Sequence, residues 1–570
     1  MPALTRSRFA VFGVLVAGGL IATACTVDPT PVPTPEPVAL TAAATDAFSG
    51  PVVVDIADPV SASVRVSEEL YSAADLVVLA APEQADLATA ASLAVAAGVP
   101  LLRDGPTGDD DPVADELERL GVTHVLTVGD VRELPELTVT PVDGVQTTDE
   151  LDAAGVELAE PQTVPADGLV DAVAALARPD TPMLTLTAED ATEPTGTDDT
   201  VHTGRPTPGD APWQVTAAEP RSDRTALLID PAADDDPTSL LAPLATARAA
   251  DLPVVRVPGG DPRVTTDTVG ALTDATGAIA LGDSFGSADR LAPRLASAAT
   301  GQQLPGGGQL VFPRQEGIPG KRYIALYGTP GTPALGVLGE QDVPATIARA
   351  QQTADAYRAL TGDTVVPTLE IIATIASAGP EADNSYSRPR SVDELRPLIE
   401  AAADADMAVV IDLQPGRTDF LTQAKQYAEL LEYPHVGLAL DPEWRLKPDQ
   451  VHLRQIGSVS VDEVNQVSDW LAGFVRERQL PQKMFLLHQF SLRMITNRER
   501  LNVDHDELAT IIHADGQGTQ PAKTDTWNAL HQGAPAVHWG WKNFYDEDQP
   551  MLTPEQTYQV VPVPDLVTYQ

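Results

Sequence analysis

The chain has 570 residues, of which 36 are Lys or Arg and 82 are Asp or Glu, so its formal net charge is −46. This acidity argues against a nucleic-acid partner, because a polyanion would be repelled by the surface. Apolar residues make up 43% of the chain, which is enough for hydrophobic cores and excludes wholesale disorder. At about 150 residues per domain, the length favours several domains. A single cysteine excludes an intrachain disulfide framework.

The N-terminus has the order of a secretory signal, with arginines, an apolar stretch over 9–22 and small residues before Cys25. The four residues that end at Cys25 (Ala-Thr-Ala-Cys) resemble the lipobox of bacterial lipoproteins. The resemblance implies that Cys25 becomes the acylated first residue and anchors the protein on the extracytoplasmic face of the cell membrane. An ordinary signal peptide with an incidental cysteine is the alternative. We expect a signal over 1–25 and a Pro/Thr-rich tether over 26–55.

An internal repeat follows, in which short apolar strands alternate with Ala-rich helices. The predicted strands are 76–80, 99–103 and 124–130 in the first copy and 226–230, 252–256 and 278–283 in the second. From the second strand of each copy onward, the two copies align at a constant offset without a gap. Strands that alternate with helices predict parallel sheets covered by helices, here over 56–310.

The repeat units resemble the putative cell-wall-binding repeat, type 2, of Gram-positive surface proteins. That family's third strand ends in Val-Gly-Gly, where this chain has Gly129-Asp130 and Gly282-Asp283 after an aliphatic residue. The resemblance implies non-covalent attachment to a cell-wall polymer. The alternative is a scaffold of Rossmann-like α/β units without a ligand. No Gly-x-Gly-x-x-Gly motif follows a strand, so nucleotide binding has no support and we expect no cofactor.

A Gly/Pro/Gln-rich stretch over 300–320 is interpreted as a linker to a second region, 321–570. Seven strands are predicted there, each followed by a helix or loop, and 560–566 would supply an eighth. The predicted strands are 323–327, 367–375, 407–413, 435–440, 483–487, 509–513 and 536–539. This alternation predicts a TIM-like (β/α)-barrel, with an open doubly wound sheet as the alternative.

Barrels of this kind carry their sites at the carboxyl ends of the strands. The candidate catalytic residues at these ends are Asp412, Asp441 and Glu443. The candidate substrate-binding residues are Gln414, His488, Gln489, Asp515, Trp539 and Trp541. Paired carboxylates suit glycoside cleavage, because one can protonate the leaving oxygen while the other stabilises the developing positive charge. Tryptophans could stack on sugar faces.

The run 437–444 resembles the end of the fourth strand in family 18 glycoside hydrolases, the chitinase type. The resemblance implies that Glu443 is the acid and that Asp441 orients the substrate. Two further aspartates of the family motif are replaced here by Val436 and Ala439. The region outside this run shows no match beyond barrel periodicity.

Simpler structural roles remain open for the same residues. Asp441 could cap the loop after its strand, Glu443 could pair with Arg445, and the tryptophans could belong to the core. His488, His513 and His538 with Asp515 lack the spacing of metal ligands, so we expect core histidines and no metal. Two functions therefore remain: a lipid-anchored enzyme acting on cell-wall or environmental polysaccharide, and a non-catalytic surface protein that binds wall polymer or a protein partner.

Overall fold

A computed structural model describes residues 37–46, 50–108, 110–142, 151–152, 154–187, 212–218, 223–232 and 236–570. Cys25 and the first part of the expected tether lie outside these residues, so the anchor stays a prediction. In the part of the chain that the structure describes, no helix combines the length and apolar character needed to cross a membrane. The fold is mixed α/β, with an N-terminal sheet-and-helix region and a C-terminal barrel.

The N-terminal region contains short strands and helices that alternate along most of its length. Its strands are β1 (Val38–Ala44), β2 (Gly50–Val54), β3 (Tyr71–Ala74), β4 (Leu76–Ala80), β5 (Leu101–Arg103), β6 (His124–Val128), β7 (Thr138–Pro141), β8 (Ala159–Val164), β9 (Pro182–Leu186), β10 (Trp213–Thr216), β11 (Thr225–Ile229), β12 (Val254–Arg256) and β13 (Gly277–Leu281). Its helices are α1 (Pro59–Leu70), α2 (Gln84–Ala97), α3 (Pro112–Leu120), α4 (Leu169–Ala175), α5 (Thr238–Ala249), α6 (Thr266–Ala271) and α7 (Ala288–Ala298).

The two copies of the sequence repeat form two parallel sheets of the same order. The first sheet runs β5-β4-β6-β7 and the second runs β12-β11-β13-β2. In each copy the first strand lies between the second and the third, as right-handed crossovers through the intervening helices allow. The remaining described strands pair as β10-β1-β3 and β8-β9. The repeat in the sequence is thus a repeat in strand order.

One hydrophobic core joins the two sheets through helices α2 and α5. Leu79 and Leu93 of the first copy lie in the same buried cluster as Leu241 and Leu244 of the second. The hydroxyl of Thr246 on α5 accepts from the backbone N–H of Leu101 at 3.0 Å and donates to its carbonyl at 3.1 Å. The two copies therefore pack against each other around one hydrophobic core rather than forming separate domains.

The C-terminal region contains eight long strands, three short ones and seven helices. The strands are β14 (Lys321–Gly328), β15 (Thr364–Ala376), β16 (Ser387–Pro389), β17 (Ala408–Leu413), β18 (Val436–Leu440), β19 (Val459–Ser460), β20 (Lys483–Gln489), β21 (Ile495–Thr496), β22 (Leu508–Ala514), β23 (His538–Asn543) and β24 (Leu566–Tyr569). The helices are α8 (Val343–Arg358), α9 (Val392–Asp404), α10 (Phe420–Gln426), α11 (Ala428–Leu431), α12 (Val461–Glu477), α13 (Gln520–His531) and α14 (Pro554–Thr557).

The eight long strands form a closed parallel barrel. Their order is β14-β15-β17-β18-β20-β22-β23-β24, and β24 pairs with β14 to close the ring. This confirms the predicted barrel and excludes the open sheet. The last strand begins at Leu566 rather than at 560, because Pro562 and Pro564 have no backbone N–H to donate to a ladder.

Alternation along each strand separates the lumen from the helix layer. Small and aliphatic lumen residues such as Ala325, Val410 and Ala439 fill the lower half of the barrel. Larger residues on the opposite faces, such as Leu438, pack against the surrounding helices. Helix α12 illustrates the outer layer: its side chains buried at helical spacing include Val464, and Ser460 caps its N-terminus by accepting from the N–H of Glu463.

The stretch interpreted as a linker is packed at the amino end of the barrel. Leu304 and Val311 are buried against the lower lumen residues. Beside it, the carboxylate of Asp506 accepts paired hydrogen bonds of 2.7–3.1 Å from Arg290 and Arg294 on α7. The N-terminal region and the barrel are therefore joined by direct contacts, and 304–311 does not act as a free linker.

Candidate active site

A cavity of about 500 Å³ opens at the carboxyl end of the barrel. Its polar lining residues are Tyr327, Gln414, Asp441, Glu443, Asp515, Gln517, Thr526, Lys542 and Gln570, and its aromatic carbon faces come from Trp444, Phe490 and Phe544. The size falls within the usual range of small-ligand sites. Of the predicted site residues, Gln414, Asp441, Glu443 and Asp515 line this cavity.

Glu443 reaches the cavity from a short turn rather than from the strand. Strand β18 ends at Leu440, and a 3-10 helix over Pro442–Trp444 follows. The side chain of Asp441 accepts from the backbone N–H of Glu443 at 3.3 Å, so Asp441 does cap this turn. The alternative pairing of Glu443 is not seen, since Arg445 binds Glu463 at 2.9 Å.

Three carboxylates meet at the cavity wall. Asp441, Glu443 and Asp515 each place an oxygen within 4.8 Å of the other two, close enough to share a proton or a cation. Burial, reinforced by Asp515, raises the pKa of Glu443 to about 7. Burial and then the Glu443 carboxylate raise the pKa of Asp441 well above its ordinary value. Like charges this close disfavour joint ionisation, so the group holds a proton near neutral pH.

Asp515 is the carboxylate of this group that stays ionised. Burial alone would raise its pKa, but the charge of Lys542 and the hydrogen bond from His488 outweigh burial and hold the pKa below the ordinary range. Lys542 Nζ lies 3.2 Å from Asp515 Oδ1 and 3.6 Å from the ring centre of Tyr327. An acid and an anion therefore face each other across the cavity wall, which is the division of roles that glycoside cleavage needs.

His488 lies below the cavity, between two carboxylates. Its Nδ1 is 2.9 Å from Asp515 Oδ2 and its Nε2 is 2.6 Å from Glu370 Oε1. Burial alone would lower the pKa of His488, yet Glu370 and Asp515 outweigh it and raise the pKa well above the ordinary value. His488 thus connects the cavity to the barrel interior, although it does not line the cavity itself.

Asp412 lies behind the cavity rather than with the other two predicted catalytic carboxylates. Its Oδ2 accepts from the hydroxyl of Tyr327 at 2.8 Å, and its Oδ1 is 3.9 Å from His488 Nε2. Burial raises the pKa of Asp412 to about 6, and the charge of His488 opposes this only in part. Gln414, in contrast, lines the cavity and donates to the Tyr327 hydroxyl at 3.3 Å.

Besides His488, three other predicted substrate-binding residues lie outside the cavity, and this corrects the expectation. Trp539 and Trp541 pack with Trp527 of α13 in the layer outside the barrel. Gln489 accepts from Arg498 at 2.9 Å in the same outer layer. The reason is the two-residue alternation of a strand: Lys542 and His488 face the lumen, so the adjacent residues face the helices.

Of the three histidines considered together in the sequence, His488 and His513 are neighbours and His538 lies apart from them. His538 lies at the amino end of β23, stacked on Phe312 at 3.8 Å and paired with Asp565 at 3.2 Å. His513 and His488 are neighbours in the lumen, with ring centres 4.8 Å apart. Neither ring nitrogen of His513 has a hydrogen-bond partner among the described residues. His513 is therefore buried, as expected of a core histidine, but its ring nitrogens lack hydrogen-bond partners among the described residues.

Sequence reasoning missed Glu370 and Tyr327. Both lie on lumen faces, and Glu370 also accepts from the hydroxyl of Thr568 at 3.0 Å. The signal for Glu370 was present, since it is the one charged residue of the otherwise uncharged strand β15. A lone carboxylate in a strand buried on both faces needs a partner or a function.

Fold and site together define an α/β protein with an eight-stranded parallel barrel and an acidic cavity at the carboxyl ends of its strands. No protein-family model matches the chain, and no curated protein matches it. Among solved structures, the chain is similar to Cwp6 from Clostridium difficile at 15% identity with a TM-score of 0.28. That match covers 65% of this chain and 64% of the other, less than two thirds of its length. A likeness at this level carries no functional argument.

Proposed function

We propose that the protein is a lipid-anchored surface protein whose barrel hydrolyses a glycan, with Glu443 as the general acid. One observation carries the proposal: a carboxyl group with a pKa raised to about 7 projects into a cavity beside a carboxylate held ionised by Lys542. A protonated acid and a fixed anion are the two groups that most glycosidases place on either side of the bond they cleave.

Each carboxylate has a distinct task in this proposal. Glu443 protonates the leaving oxygen, and Asp515 faces the positive charge that develops on the sugar ring. Asp441 positions the turn that carries Glu443 through its hydrogen bond to the Glu443 backbone.

The cavity lining also suits a sugar. Trp444, Phe490 and Phe544 offer apolar faces among polar side chains. Among the described residues, nothing accepts a hydrogen bond from the indole nitrogen of Trp444. That N–H is buried, so the part of Trp444 offered to a sugar is the face of its ring.

The anchor and the repeats complete the proposal outside the barrel. Acylation at Cys25 would hold the protein on the extracytoplasmic face, and the tether would let the folded part extend from the membrane. The α/β repeats would then bind cell-wall polymer, as their resemblance implies. The net charge of −46 makes a neutral glycan a better partner for them than a polyanion.

The test is hydrolysis of a panel of cell-wall and β-linked glycans by the wild type and by Glu443→Gln. The substitution keeps size and hydrogen bonding but removes the transferable proton, so we expect a rate loss of about 10²–10⁴-fold. Glu477→Gln is the matched control, because that side chain is 78% exposed on α12. Activity that survives in Glu443→Gln would remove Glu443 from the mechanism. Glycan binding without turnover by the wild type would favour the non-catalytic alternative.

A further inference from the structure

A second group of chemically active side chains lies in the barrel lumen beneath the cavity. We call it the lumen cluster, and it consists of Glu370, Asp412, His488 and His513. Each of the four is at most 1% exposed. The four come from the strands β15, β17, β20 and β22, which lie on one side of the barrel with β18 between β17 and β20.

Three atoms of the lumen cluster are unpaired although they are buried. Neither nitrogen of His513 has a hydrogen-bond partner, and neither does Asp412 Oδ1, among the described residues. A buried polar atom without a partner destabilises the folded state, and groups of such atoms are rare in native proteins. Gly540 makes room for the His513 ring, since a Cβ there would lie 2.5 Å from His513 Cδ2. The fold thus accommodates the His513 ring although neither of its nitrogens forms a hydrogen bond with a described residue.

The other polar atoms of the cluster are each held by an outer partner. His488 Nδ1 contacts Asp515 at 2.9 Å, Glu370 Oε2 accepts from Thr568, and Asp412 Oδ2 accepts from Tyr327. This leaves one inward-facing atom on each of these residues. Metal-binding histidines and carboxylates are oriented by outer hydrogen bonds in the same way, the carboxylate–histidine pair above all.

The separations of the inward atoms fit ligands around one ion. His488 Nε2 lies 2.6 Å from Glu370 Oε1 and 3.9 Å from Asp412 Oδ1. One ligand atom from each of Glu370, His488 and His513 lies within 4.8 Å of the other two. Ligands on a tetrahedral zinc ion, with bonds of about 2.0–2.1 Å, are roughly 3.3 Å apart. The measured values bracket that distance, so small side-chain shifts suffice.

We propose that the lumen cluster binds one divalent transition-metal ion, with zinc the best match to two imidazoles and two carboxylates. The ion takes the place of the proton between His488 and Glu370, so binding releases one proton to solvent and leaves Nδ1–H of His488 donating to Asp515. Two carboxylates then balance the charge of the ion. With all four ligands from buried side chains, the site is closed and has no position for a substrate. Its role is to position Asp515, and it is independent of whether Glu443 is an acid.

The first experiment needs no variant. The full chain is stripped with a chelator, dialysed, and titrated with Co²⁺ and with Zn²⁺, while metal content per chain is measured by mass spectrometry. We expect about one equivalent, a visible absorption band typical of tetrahedral Co²⁺, and a higher melting temperature with metal than without. Absence of stoichiometric binding by the folded wild type would overturn the proposal.

The second experiment tests the ligands. His513→Gln should lose the equivalent of metal and the Co²⁺ band, whereas His538→Gln should keep both, because His538 lies at the amino end of the barrel. Asp412→Asn replaces His513→Gln if the latter does not fold, and it should weaken Zn²⁺ binding at least tenfold. Binding that is equal in wild type and in the folded ligand variant would place the metal elsewhere and refute the site. Glycan hydrolysis is not a readout, so the two proposals fail separately.

Discussion

The side chain of Asp441 accepts a hydrogen bond from the backbone N–H of Glu443, at 3.3 Å, across the turn that follows strand β18. This contact ties the two carboxylates into one unit, in which one residue shapes the turn and the other projects into the cavity. The hydrogen bond by which Asp441 caps the loop is therefore also the contact by which it positions Glu443 in the site. Arg445 forms an ion pair with Glu463 and therefore does not neutralise Glu443.

Activity should fall as the pH rises through neutrality. The proposed acid works only when protonated, and the pKa of Glu443 is raised to about 7, so the protonated fraction declines above that pH. The alkaline limb of the kcat/KM profile on any hydrolysed glycan measures this value. A limb near pH 4.5, the range of an ordinary glutamate, would contradict the raised pKa.

Replacing Lys542 should destabilise the barrel and shift the pH profile. Lys542→Met leaves Asp515 buried without its 3.2 Å partner, which we expect to cost about 3–5 kcal/mol of unfolding free energy. Lys542 also lowers the pKa of Glu443, so its removal should move the alkaline limb to higher pH. Denaturant unfolding and the pH profile test the two effects. An unchanged free energy of unfolding would mean that the pair is not formed.

Tryptophans inside and outside the cavity should behave differently. Trp444→Ala removes a cavity face and should raise KM about tenfold, equivalent to ~1.4 kcal/mol, with little change in melting temperature. Trp539→Ala empties part of the outer core and should cost about 3–5 kcal/mol of stability. Parallel kinetics and thermal melting of both variants provide the comparison. A large KM effect in a folded Trp539→Ala protein would show that our assignment of the layers is wrong.

Asp506 should make the protein sensitive to acid. Burial would raise its pKa, but hydrogen bonds from Arg290 and Arg294 outweigh burial and hold the pKa below the ordinary range. A carboxylate with a lowered folded-state pKa adds stability above its unfolded pKa of about 3.9, and this stability is lost as the pH falls through the folded value. Asp506→Asn should therefore be less stable than wild type at neutral pH.

The difference in folding stability between wild type and Asp506→Asn should become smaller below about pH 4. Melting temperatures across the acidic range measure it. Asp504→Asn is the control, since that side chain is exposed and no arginine pairs with it among the described residues. A difference in melting temperature that stays constant with pH would show that the arginine contacts do not cause the acid sensitivity.

The anchor prediction concerns a residue outside the described part of the chain. Cys25→Ser removes the thiol that would carry the lipid, so the protein should stay an uncleaved or unlipidated precursor and lose its partition into detergent. Metabolic labelling with a fatty acid measures this directly. Unchanged labelling in Cys25→Ser would end the lipoprotein interpretation.

The hydrophobic periodicity of the sequence by itself determined much of the predicted barrel. Strand alternation and helix spacing placed seven of the eight long strands within a few residues, because hydrophobic periodicity is set by local geometry. The three short strands β16, β19 and β21 were not predicted. The same alternation put Asp441 at the lumen end of β18. The internal repeat was equally visible, since each copy presents the same order of apolar strands.

Only the tertiary structure decided which polar residues meet. Glu370 and His513 lie far from His488 in sequence, and ring closure brings their strands around one lumen, so wide spacing was no argument against a cluster. The facing of Trp539 and Trp541 depended on where the strand ends. Strand β23 continues to Asn543 rather than ending at 539, so both tryptophans lie within it, on the face opposite Lys542. The raised pKa of Glu443 comes from burial and from Asp515, which follows strand β22, and neither is encoded locally.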